Sequence, residues 1–162
     1  MKVIKLGLIF CLVPIIGSWA IKPATDSNSY KCLLQLTNYT GEGAYIVTSL
    51  INPEGEYEKT LYVFGKDEKW YHDLAEWWIF FEKSSIQIDG ISGASLTGGE
   101  RAVFVFEIDK EKLNTGYKLR IETAVESQEY YVDDVEFPLT SENVSKKYEG
   151  KGYIRYVRIM PN

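Results

Sequence analysis

The chain predicts an all-β antiparallel sandwich with one short helix. Three observations carry that expectation. From Tyr30 onward, apolar and polar residues mostly alternate with a period of two. Turn signals rich in Asn, Pro and Gly separate several of the alternating runs. A single segment, Trp70 to Lys83, switches to a helical period. About seven short strands at such spacing fit a sandwich better than a layered α/β fold.

The strands are expected at 31–38, 44–51, 58–64, 101–108, 117–125, 129–135 and 153–160. In the first, Cys32, Leu34 and Leu36 alternate with Lys31, Leu33 and Gln35. The second and third flank Asn52-Pro53-Glu54-Gly55, which reads as the turn of a hairpin. Next comes the helical segment. Asp73 can cap a helix with Glu76 three residues on, and Leu74, Trp77, Trp78 and Phe81 then share one face. A short helix laid across one opening of the sandwich is expected, its aromatics closing the core. Asn114-Thr115-Gly116 introduces the clearest strand, with Tyr117, Leu119, Ile121, Thr123 and Val125 on one side. Lys118, Arg120, Glu122 and Ala124 lie on the other, so one face is expected buried and one mostly wet. Residues 127–162 are expected to add one or two strands, the last after Gly150-Lys151-Gly152, with Lys146-Lys147 in a wet loop.

The first twenty residues differ in kind. Lys2 and Lys5 precede an apolar run from Leu6 to Ile16, and Ser18-Trp19-Ala20 offers small residues before a cut. That is the layout of a secretory signal peptide, and the run is shorter than the ~20 residues of a membrane span. The alternative is an uncleaved N-terminal anchor. The expected organisation is a signal peptide at 1–20, a polar linker at 21–29 and a sandwich domain at 30–162. The exported chain then has no integral membrane span. It keeps Cys32 alone, which excludes an internal disulfide or a cysteine-based metal site. Cys32 reads as a small buried hydrophobe. The net charge of -5 becomes more negative once Lys2 and Lys5 are removed. No basic stripe is present, which argues against nucleic acid as a partner.

The stretch with most chemical content is Asp89-Gly90-Ile91-Ser92-Gly93-Ala94-Ser95. Gly90 and Gly93 leave room for a bulky substituent, Ala94 adds little bulk, and successive N–H groups can form an anion nest. Asp89 is an acid beside the place a phosphate would take, so the loop suits enzyme-assisted attachment better than spontaneous phosphate binding. Gly90-Ile91-Ser92-Gly93-Ala94 nearly matches a nucleophile elbow, but its fifth residue is Ala. The lone His72 lies upstream and provides neither a triad base in the usual order nor a multi-histidine metal site. No catalytic residue is assigned. Asn38-Tyr39-Thr40 and Asn143-Val144-Ser145 match the N-glycosylation pattern, which matters only in a eukaryotic secretory route.

The loop resembles the acceptor motif of proteins that carry covalent FMN: an acid, two variable residues, then Ser/Thr-Gly-Ala-Ser/Thr. In that family, which includes a subunit of the sodium-pumping NADH:quinone reductase, a separate flavin transferase splits FAD. It joins FMN through phosphate to the final hydroxyl residue and releases AMP. The resemblance maps the motif onto Asp89, Ser92, Gly93, Ala94 and Ser95, with Ser95 where Thr is commoner. Residues 30–126 also resemble a family of periplasmic bacterial domains of unknown function. The likeness runs through Thr40 to Ile46, Tyr57 to Lys66, Lys69-Trp70, Leu74, Trp77-Trp78, the Ser-Gly-Ala-Ser loop and Gly116 to Ala124. The strand after Glu122 departs from it, being more aromatic and less basic. That family is similar to the immunoglobulin-like domain of flagellar hook-capping proteins, which implies an immunoglobulin-like sandwich.

The resemblance implies a periplasmic, or otherwise exported, electron-transfer carrier rather than an enzyme. Its cofactor would be FMN on Ser95, with Asp89, Gly90, Ser92, Gly93 and Ala94 shaping the loop. Its partners would be a flavin transferase and a membrane flavin or haem reductase. Trp70, Trp77 and Trp78, with Tyr71, are the candidates to stack on the flavin ring. For any single one of them, core or lid packing is the competing role. The alternative function is an exported non-redox immunoglobulin-like module for binding or scaffolding.

Overall fold

A computed structural model describes residues 26–84, 88 and 91–162 of the chain. The signal-peptide segment, residues 21–25 of the expected linker, and both Asp89 and Gly90 lie outside the described residues.

Two sheets form the sandwich. One has the order β5-β1-β9-β8, from β1 (Ser27–Leu36), β5 (Arg101–Asp109), β8 (Lys147–Tyr148) and β9 (Ile154–Pro161). The other has the order β4-β3-β2-β6-β7, from β2 (Tyr45–Ile51), β3 (Tyr57–Phe64), β4 (Ser92–Gly93), β6 (Lys118–Ala124) and β7 (Tyr130–Pro138). All neighbours are antiparallel except β3 and β4. Placing β1 beside β5 and β2 beside β6 reproduces the pairing of strands B with E and C with F in immunoglobulin-like sandwiches. The other flank of β1 is taken by the C-terminal strand β9.

The seven strands expected from alternation are all present, each within a few residues of its predicted ends. Two boundaries differ. β1 begins at Ser27, because Ser27 to Ser29 already pair with Asp109 to Glu107, so the end of the expected linker belongs to the sheet. Lys147 opens β8 opposite Arg158 rather than lying in a loop. The turn after β2 forms as expected: the Gly55 N–H donates to the Asn52 carbonyl at 3.0 Å, with Gly55 at φ +90°.

The inter-sheet core is built from the inward rows of both sheets. Cys32, Leu34, Phe104, Phe106, Val157 and Ile159 meet Ile46, Leu50, Leu119, Ile121, Val135 and Phe137. Burial pushes the Cys32 thiol up to about 12, which leaves it an inert packing group.

The helix corrects the expectation in two ways. It does not close an opening of the sandwich; it covers the outer face of the five-stranded sheet as a third layer. There Tyr71, Leu74 and Trp77 pack on Val47, Val63 and Ala124. The helical segment is also split. A 3₁₀ turn, Glu68–Asp73, is capped by Asp67, which accepts from the Lys69 N–H at 3.2 Å. α1 (Ala75–Lys83) follows, with the fully buried Leu74 at its N-cap position and no side-chain cap. Asp73 stands beside His72 instead, and the Glu76 N–H donates to the Tyr130 hydroxyl at 3.3 Å. Burying Leu74 fixes the junction where a hydrophilic cap was expected.

The third layer overturns a further expectation. The polar row of β6 is not wet: Glu122 is fully buried, accepting hydrogen bonds from the hydroxyls of Tyr57 (2.7 Å) and Tyr130. The Trp77 indole N–H donates to the Thr60 hydroxyl at 2.9 Å in the same layer.

Gly65, directly after β3, ties these layers together. Its N–H donates to the Gly93 carbonyl (2.8 Å) and its carbonyl accepts from the Tyr71 hydroxyl (2.8 Å). Its φ is +118°, and a Cβ there would fall 2.1 Å from the Tyr45 ring. Both features demand glycine. Gly65→Ala is therefore expected to destabilise the fold by about 2–3 kcal/mol, read by urea denaturation. A change below about 0.5 kcal/mol, the scale of ordinary surface substitutions, would show that the joint tolerates a side chain.

Candidate functional site: the Ser92–Ser95 loop

The loop is held at both ends by backbone. Ser92 and Gly93 pair in parallel with Val63 and Phe64, adding β4 to the edge of β3. Three residues later Leu96 bridges Ala44, with N–H to carbonyl distances of 2.7 and 3.2 Å. The Tyr39 hydroxyl donates to the Leu96 carbonyl (2.6 Å) and accepts from the Ala44 N–H (2.8 Å). Ala94 and Ser95 thus span a short gap between the β3 edge and the residue that precedes β2.

Gly93 is favoured by close approach and not by an unusual backbone angle. A Cβ there would meet the Tyr62 hydroxyl at 3.2 Å and the Phe64 ring at 3.3 Å. No residue from Ile91 to Leu96 has a left-handed φ, and the Leu96 N–H is committed to Ala44. The anion nest expected of the motif, which alternates right- and left-handed residues, is therefore not formed across 91–96.

Ser95 is half-buried and lines a recess of about 130 Å³. Tyr45 and Trp70 supply aromatic walls, Gly43 part of the surface, and Glu42, Asp73 and Glu126 the carboxylates. Among the described residues the Ser95 hydroxyl has no hydrogen-bond partner. Gly43 keeps it accessible, since a Cβ on Gly43 would sit 2.6 Å from the Ser95 Oγ. Ser92 opens elsewhere, onto a recess of about 200 Å³ with Lys66, Glu68, Tyr71 and Ile88. The two hydroxyls of the motif are therefore in different surroundings: Ser95 among carboxylates, Ser92 with one lysine and one glutamate.

The aromatic candidates separate clearly. Trp70 is half-buried and shares the recess with Ser95. Its ring lies 6.3 Å from that of His72, and the Lys69 Nζ sits 4.9 Å from its centroid. Trp77 is fully buried, stacked on Phe81 at 4.8 Å, and cannot receive an external ring. Trp78 is half-buried against Phe81 and does not line this recess. Tyr71 is fully buried, in a T-shaped contact with Tyr45. The sequence reading missed Tyr45 and Gly43. Both stand in the segment that carried the family resemblance, but only the Leu96–Ala44 bridge brings them to Ser95.

A family model described as predicted periplasmic protein matches residues 27–156, from the first residue of β1 into β9. The chain belongs to that family, DUF2271. The match takes in the whole Ser95 recess and extends past residue 126, where the resemblance read from sequence weakened. As a DUF2271 member the protein is periplasmic. Among the described residues no helix is long and apolar enough to cross a membrane. No curated protein and no solved structure matches the chain.

Proposed function

We propose that the protein is a periplasmic electron-transfer carrier with FMN joined through its phosphate to Ser95. The observation that carries this reading is the Ser95 hydroxyl itself: unpartnered among the described residues, kept open by Gly43, and facing a recess walled by Tyr45 and Trp70. At about 130 Å³ the recess is smaller than the ~300–1,000 Å³ of enclosed ligand pockets. It suits a phosphoryl group, with the flavin ring outside against the aromatic walls. Glu42, Asp73 and Glu126 repel a free phosphate, so retention depends on a covalent bond.

The attachment balances with FAD as donor. The Ser95 oxygen forms a new bond to the FMN phosphorus, the pyrophosphate bond to AMP breaks, and AMP leaves. The serine proton passes to a base of the flavin transferase. The bound FMN supplies the redox chemistry; this chain contributes position, burial and local charge.

The test is intact mass and visible absorbance after co-expression with a flavin transferase. A gain of one FMN less one water is expected, lost in Ser95→Ala and retained in Ser92→Ala. Gly43→Ala is expected to fold and to load poorly. Absence of the gain, where a known acceptor is labelled in parallel, overturns the reading. The remaining function would then be a non-redox binding or scaffolding module, favoured by the backbone pairing that anchors the loop at both ends.

A further inference from the structure

β5 is an edge strand, paired with β1 on one side and with no strand on the other among the described residues. Sheet edges are usually blunted by proline, bulges, short length or charged side chains, lysine above all. β5 has no proline, bulge or lysine and runs nine residues, Arg101 to Asp109, in unbroken register with β1, its outward charges Arg101 and Glu107 flanking two exposed valines. Its outward row is Arg101, Val103, Val105 and Glu107, with Val103 56% and Val105 44% exposed. Among the described residues neither Arg101 nor Glu107 forms an ion pair. Arg101 donates to Gln35, and Glu107 accepts from the Ser27 hydroxyl.

We propose that two copies of this chain associate through β5, antiparallel and two-fold about Phe104, so that two four-stranded sheets become one. The register follows from hydrogen bonding. Facing residues must either both point their backbone groups across the seam or both point them away, so the two-fold axis lies between two copies of the same residue. With the axis at Phe104, Arg101 faces Glu107 of the second copy, and Val103 faces Val105. With it at Val103 or Val105, a valine faces Arg101 or Glu107 instead. Only the Phe104 register pairs charge with opposite charge and valine with valine, and the symmetry makes each pair twice. The proposal does not depend on flavin attachment.

Sedimentation velocity of the full chain over a range of concentrations tests it. A concentration-dependent dimer is expected. Arg101→Glu or Glu107→Arg places like charges opposite each other twice, and is expected to weaken the dimer by about tenfold or more. The double swap, Arg101→Glu with Glu107→Arg, restores the pairs and is expected to recover affinity to within about threefold. Should a swap variant fail to fold, Val105→Lys on the same exposed row gives a second disruption. A monomer at all concentrations overturns the proposal, including the case where the edge pairs with another protein. A dimer indifferent to the single swaps, or not restored by the double, also overturns it.

Discussion

Asp134→Ala is expected to lower the unfolding free energy by about 3–5 kcal/mol, because it strips one buried carboxylate from four donors at once. Asp134 lies on β7 and is 1% exposed. Its Oδ1 accepts from the N–H groups of Lys151 (2.9 Å) and Gly152 (2.8 Å). Its Oδ2 accepts from the Ile154 N–H (3.0 Å) and the Thr123 hydroxyl (2.6 Å). One side chain on the five-stranded sheet thus shapes the loop that delivers β9 to the interior of the other sheet. The glycines of that loop serve the same contact. A Cβ on Gly150 would lie 2.4 Å from the Asp134 Oδ1, and one on Gly152 would lie 2.3 Å from the Tyr131 ring. The alanine variant leaves the Gly152 and Ile154 N–H groups without an acceptor, while the Lys151 N–H keeps the Asp134 carbonyl (3.0 Å), so hydrogen exchange in β9 should accelerate along with the loss in urea stability. Asp134→Asn keeps the shape but turns an NH₂ toward donors, and should fall between the two. A loss below about 1 kcal/mol in the alanine variant would mean that water replaces the carboxylate without cost.

How much of this was legible in the sequence depends on the distance over which each feature is decided. Period-two alternation is local, and it located β1, β2, β3, β5, β6, β7 and β9. Gly150-Lys151-Gly152 reads as turn punctuation; its further reason, the approach of Asp134 and Tyr131, spans about twenty residues and two sheets. The third layer was partly written in β2. Tyr45 to Ile51 is nearly continuous in burial, the pattern of a strand covered on both faces. Alternation alone in β6 places Glu122 in water, because it shows neither the Tyr57 and Tyr130 hydroxyls of β3 and β7 that bond it nor the helix layer above. The spacing of Leu74, Trp77, Trp78 and Phe81 marks one face, with Leu74 and Trp77 fully buried and Trp78 and Phe81 half-buried, but periodicity does not say what a face packs against. The same holds at the candidate site. The motif singled out Ser95, whereas Gly43 and Tyr45 reach it only through the bridge between Ala44 and Leu96.

Glu122→Gln is expected to remove a pH dependence of about 3 kcal/mol from the stability of the protein. Glu122 lies beneath the helix layer, and burial pushes its carboxyl up from 4.5 to about 7. The groups facing it are the Tyr57 and Tyr130 hydroxyls, which donate to it and favour the charged form, the Arg120 guanidinium, which also favours it, and Glu76 of α1, which opposes it. The guanidinium is shared: its Nε is 2.6 Å from Glu136, and its NH1 is 3.3 Å from the Tyr57 hydroxyl. Desolvation therefore outweighs the opposing contacts. Because the folded state holds this proton more tightly than the unfolded chain, Glu122 favours folding fully below about 4.5. That contribution is lost as pH rises through about 7. The paired carboxylates Glu58 and Glu136, held below their ordinary value by Lys112 and by Lys118 with Arg120, act in the opposite sense. The raw pH profile mixes the two. The difference between wild type and Glu122→Gln isolates the buried group, since glutamine keeps the shape and cannot ionise. In urea denaturation the glutamine variant should gain on wild type from pH 5 to about 7, and the gain should level off above that. Parallel profiles across that window would mean that Glu122 is already ionised at pH 5, with its tyrosine and arginine neighbours, not burial, deciding its charge.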